Sequence, residues 1–106
     1  MGWTPPTGDA HDSLLNLLAS RGPASHGLFN AGGYSNARVD ELVDAIRGEL
    51  DPDKRTAMIH EALRIHKEGF GHIPLHQQTV AWAVRDNVEL VQLPDNFFPL
   101  RFVTMK

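Results

Sequence analysis

Apolar positions recur with helical spacing through the middle of the chain and give way to short alternating runs in its last third. Val39, Leu42, Val43, Ile46 and Leu50 fall at i, i+3, i+4, i+7 and i+11, one face of an amphipathic helix expected over 37–49. Ser35 or Asn36 offers its N-cap, and Asp40 and Glu41 lie in the first turns, where they favour the helix dipole. Asp51-Pro52 starts a second helix, expected over 52–68, with Asp51 as N-cap and Pro52 at the first helical position, where its missing N–H costs nothing. Met58, Ala62 and Ile65 form one row on it, with Ile59 and Leu63 beside them, and Gly69 and Gly71 end it. So short a turn between the two predicts a helix hairpin. Upstream, Asp12 or Ser13 can cap a shorter helix over 12–20, in which Leu14, Leu15, Leu17 and Leu18 supply one face and Arg21-Gly22-Pro23 the stop.

The texture then changes. Short segments rich in β-branched or aromatic residues predict strands over 73–84, 88–93 and 100–104, separated by the turn signals Asp86-Asn87 and Pro94-Asp95-Asn96. The order of loop, helices and then strands implies an α+β unit, or one part of a larger α/β protein.

A chain of 106 residues allows one domain at most, with a modest core. A net charge of −3 gives no polybasic footprint, which speaks against nucleic acid as a partner. No apolar run is long enough to span a bilayer, and no basic and apolar leader opens the chain. Cysteine is absent, so disulfides and thiolate chemistry are excluded.

Six histidines raise the question of metal. His60 and His66 occupy different faces of one expected helix, and His72 and His76, on one side of an extended strand, would stand about 13 Å apart. His11 and His26 stand alone in loops, so spacing supports no metal site and the histidines read as packing or surface residues. No serine sits in a nucleophile elbow, the glycines match no phosphate-loop pattern, and Asp9 and Asp12 read as caps before they read as an acid–base pair. Neither a catalytic residue nor a cofactor is expected.

Three features resist a purely structural reading. Trp3 sits against the loop Thr4-Pro5-Pro6-Thr7-Gly8, where a large ring needs a wall. Asp9 is a carboxylate in a turn, suited to pairing with an ammonium group. His76 and Gln78 alternate on one side of an otherwise apolar segment, as side chains lining a cleft would.

Gly2-Trp3-Thr4 with Gly8-Asp9, then Gly33-Tyr34-Ser35-Asn36-Ala37-Arg38-Val39-Asp40-Glu41-Leu42, resembles the peptide, dipeptide and nickel class of ABC-transporter solute-binding proteins. Asp51-Pro52-Asp53-Lys54-Arg55, Glu61-Ala62, Ile73-Pro74-Leu75-His76, Trp82-Ala83-Val84-Arg85 and Asn87-Val88 follow in that family's order. The resemblance covers nearly the whole chain. It implies a C-terminal fragment of a two-lobed periplasmic-binding-protein fold whose members are several times longer. Residues 1–72 would end the second lobe, and 73–106 would be the crossover and terminal strands returning toward the first, the whole forming one structural unit in isolation. Met1 would then not be the biological start.

The resemblance further implies an extracytoplasmic or periplasmic location and capture of a peptide-like or other small polar solute for an ABC importer. Its partners would be the permease subunits, through which alone it meets a membrane, and the isolated fragment could dimerise. Trp3, Thr4, Asp9, His76 and Gln78 are the ligand-binding candidates. In peptide-binding members an Asp three residues beyond the Trp holds the peptide α-amino group; Pro6 stands there here, and Asp9 is the nearest carboxylate. Two alternatives stay open, a small autonomous protein-interaction domain and a receptor for a metal chelate such as nickel.

Overall fold

The computed structural model describes residues 3–93 and 95–106. Gly2 of the Gly-Trp pair and Pro94 of the expected turn lie outside the described residues. The chain divides into two compact units: one is Pro5–Pro74, and the other takes Leu75–Lys106 together with Trp3 and Thr4.

The Pro5–Pro74 unit is helical. Helix α1 covers Ala10–Ser13 and runs directly into a π-helical turn, Leu14–Leu18. Of the expected caps, Asp12 and Ser13 are inside these turns and Asp9 caps α1, its carboxylate accepting from the His11 N–H at 2.8 Å. The widening to a π turn coincides with Asn16, whose side-chain amide donates to the Asp12 carbonyl at 2.9 Å and competes for the acceptor an α-helix would use there. Helix α2 spans Ala37–Gly48 and α3 spans Pro52–Glu68. Asn36 caps α2 by accepting from Arg38 and Val39, and Asp51 caps α3 by accepting from Asp53 and Lys54.

The core of this unit is Leu14, Leu18 and Ala19 against Val39, Leu42, Val43 and Ile46 of α2 and Ala62 of α3. Leu50 leaves the expected stripe: α2 ends at Gly48, Glu49 is extended, and Leu50 is 95% exposed. Leu63 is also exposed. The connection from Ser20 to Tyr34 folds back on the π turn, with the Gly27 N–H donating to the Leu15 carbonyl and the Phe29 N–H to the Asn16 carbonyl, both at 2.9 Å. Asn30 is fully buried at its centre.

The second unit carries one small antiparallel sheet, β1 Val88–Glu89 and β2 Thr104–Met105, paired Val88 to Met105 and Glu89 to Thr104. The expected strand over 88–93 is thus two residues long, and that over 100–104 begins as a 3₁₀ turn, Leu100–Phe102. Residues 73–84 carry no ladder at all. A strand needs a neighbour edge and an alternating face needs a layer to cover it. Leu75, Val80, Val84 and Val91 are exposed, so the pattern that predicts burial has nothing over it among the described residues.

Candidate functional site

Four of the five ligand-binding candidates, Trp3, Thr4, His76 and Gln78, belong to the unit built on Leu75–Lys106, and Asp9 belongs to the helical one. Trp3 is half-buried, and Thr4, His76 and Gln78 are exposed. Gln78 opens a small polar hollow with Trp82 and Asn96. Beside it lies an open groove of about 860 Å³ lined by Trp82, Val84, Glu89, Gln92, Arg101 and Phe102.

Trp82 is the fixed wall of both. Its Nε1–H donates to Asn96 Oδ1 at 2.6 Å, and its ring meets Phe98 edge to face at 5.2 Å. Asn96 takes a left-handed backbone conformation, φ 61°, in a turn where its N–H donates to the Leu93 carbonyl. The Gln92 amide donates to the Val80 carbonyl at 3.1 Å, tying the groove to the hollow beside it. The Arg101 guanidinium lies 4.7 Å from the Phe102 ring centroid, and Glu89 pairs with Lys106 at 2.6 Å. An aromatic floor with one cation at its edge can hold an apolar group and a carboxylate of the same ligand.

Comparison with protein-family models, with curated proteins and with solved structures finds no match to this chain.

Asp9 has a partner already. Both of its carboxylate oxygens accept from Arg55 Nη2, at 2.8 and 2.9 Å, while it also caps α1. The Arg55 hydrogen bond, followed by that from the His11 N–H, holds the Asp9 carboxyl below its usual value of 3.8. A carboxyl whose folded pKa is depressed stabilises the fold above its unfolded value, and that stability is lost as pH falls through the folded value. Asp9→Asn is therefore expected to be less stable than the native chain at neutral pH and to lose the difference below about pH 4. Urea midpoints measured down the acid limb check this; parallel curves at all pH values would refute it.

Two histidine arrangements escape spacing rules. His26 Nδ1 lies 2.9 Å from the Pro23 carbonyl and Nε2 2.9 Å from the Asp44 carboxylate. Both neighbours accept, so the ring is best satisfied as imidazolium, and Asp44 raises its pKa above 6.5. The second is His66 at the end of α3. Its Nε2 is 2.9 Å from His72 Nδ1, the two rings stack at 5.1 Å, and Tyr34 meets His66 edge-on at 4.4 Å. Burial, and then the neighbouring His72, lower the His66 pKa. His66 Nδ1 and the Tyr34 hydroxyl are buried with no hydrogen-bond partner among the described residues.

Proposed function

We propose that this chain is one part of an extracytoplasmic solute-binding receptor that captures a peptide-like or other small polar solute and delivers it to an ABC importer. One observation carries the reading: the unit holding four of the five ligand candidates exposes its large apolar side chains. Leu75 is 87% exposed, Leu100 and Met105 75% and Phe97 65%, around a sheet only two residues deep. Surface of that kind is cheap to expose only where another body covers it. The ordered segments that resemble the peptide, dipeptide and nickel class supply the identity of that body, the other lobe.

In such a receptor the ligand bridges two lobes and favours the closed state, so one side of the cleft binds weakly alone. Isothermal titration of the chain with short peptides is expected to show no saturable binding at micromolar concentration, and backbone amides over 73–104 are expected to exchange quickly. A monodisperse monomer with those amides protected would sink the proposal. It would favour an autonomous interaction domain, the reading to which the self-contained core of Pro5–Pro74 lends support.

A further inference from the structure

We propose that His66 and His72 form a two-imidazole site for a divalent transition-metal ion, with Cu(II) bound most tightly. The inference is independent of the transport reading and uses only the helical unit.

The distance brings both nitrogens within reach of one ion. Two imidazole nitrogens 2.9 Å apart, each bonded to an ion at about 2.0–2.1 Å, subtend an angle of about 90° there. That is the cis angle of square-planar and octahedral ions, and a turn of the exposed His72 ring that opens the pair to roughly 3.3–3.4 Å would suit a tetrahedral one. Among first-row divalent ions, Cu(II) binds nitrogen sites most tightly.

The ligands are set in advance to different degrees. His66 is 6% exposed, and its ring is held between Tyr34 on one side and the turn after α3 on the other. A Cβ on Gly71 would overlap His66 Cε1, so the backbone can lie on the imidazole only because residue 71 has no side chain. The turn reverses the chain through Phe70, at φ 51°, with the Phe70 N–H donating to the Lys67 carbonyl and the Gly71 N–H to the His66 carbonyl. This brings His72 back over His66 while leaving His72 exposed. One ligand is clamped, and the other can rotate to aim its lone pair from the solvent side.

Two buried polar atoms without a partner among the described residues, His66 Nδ1 and the Tyr34 hydroxyl, fit a loaded site. In the empty pair a proton lies between Nε2 of His66 and Nδ1 of His72. An ion there needs the lone pairs of both facing nitrogens, so His66 then carries its proton on Nδ1 and His72 on Nε2, and whichever ring donated in the empty pair changes tautomer with no net loss of a proton. Metal-bound histidines place that second N–H against an oxygen acceptor. The Tyr34 ring touches His66 edge-on, and its unpartnered hydroxyl is an oxygen of that kind. No third His, Cys, Asp or Glu joins them among the described residues, which leaves the remaining coordination positions to water.

The test titrates the full chain with Cu(II) alone, by calorimetry and by NMR of ¹⁵N-labelled histidine. Paramagnetic broadening is expected first at the His66 and His72 rings, ahead of His11, His26, His60 and His76, with one equivalent bound. His72→Gln, at an exposed position that leaves the ellipticity unchanged, is expected to weaken binding at least tenfold, and His60→Gln to leave it unaltered. Tyr34→Phe is expected to weaken it about tenfold, and Zn(II) to bind less tightly than Cu(II). Broadening that starts at other histidines, or a His72→Gln chain that binds as the native one does, would overturn the proposal.

Discussion

Alanine at Gly27 is expected to destabilise the helical unit by about 3 kcal/mol or more, out of a total of roughly 5–15 kcal/mol for a domain of this size. Gly27 has φ +59°, and an added Cβ would stand 2.6 Å from the Ala19 carbonyl oxygen and 2.9 Å from both the Arg21 nitrogen and the Ser20 carbonyl carbon. All three are backbone atoms, so no side chain can swing aside. Moving the loop outward would break the Gly27 N–H bond to the Leu15 carbonyl, which seals the π turn. Gly33 is the control: its φ is +69°, but nothing lies within 4 Å of the place an added methyl would occupy. Gly33→Ala should therefore carry only the left-handed penalty of about 1–2 kcal/mol. Urea unfolding followed by ellipticity separates the two, and equal losses at both positions would show that the close approach at Gly27 does not matter.

Asn30→Ala is expected to cost a similar amount, for a different reason. The Asn30 amide donates to the Ala19 carbonyl at 2.9 Å and the Tyr34 carbonyl at 2.7 Å, and its Oδ1 accepts from the Tyr34 N–H at 3.1 Å. Removing the side chain leaves three backbone groups without their partner, each worth about 1–3 kcal/mol when buried. Tyr34 N–H and C=O lie nearer the surface and can recruit water, so the expected total is about 3 kcal/mol. Asn30→Asp tests the donor role: it keeps the acceptor, loses both donated bonds and adds a buried charge, and should be the worse of the two. A fully stable Asp variant would show that the Asn30 amide is not what pins the loop.

The helices were legible in the sequence because their signals are local. Asn36 and Asp51 cap within three residues of themselves, and the α2 stripe repeats within a turn. Leu50 misled because periodicity continues on paper past the residue where the backbone leaves the helix. The strands were not legible in length, since the ladder pairs Val88 with Met105 and alternation in one segment says nothing of a distant edge. The same limit governs the sites. Asp9 reads as a carboxylate open to a ligand, yet its partner Arg55 lies 46 residues away. His66 and His72 fail the i, i+4 rule for helical ligands because a reversal at Phe70 brings them together. Trp82 lies in a segment that carries the resemblance but marks no ligand contact, and Arg101 gives no motif at all, only a cation in a strand-like run.

The division into two units also segregates the molecule's natural optical probes. Both tryptophans, Trp3 and Trp82, belong with Leu75–Lys106, whereas every described α-helix and the sole tyrosine, Tyr34, belong to Pro5–Pro74. Indole fluorescence therefore watches one unit and far-ultraviolet ellipticity the other, with no label added. In a single melt, coincident curves mean that the two units unfold as one, and separated curves give each its own midpoint.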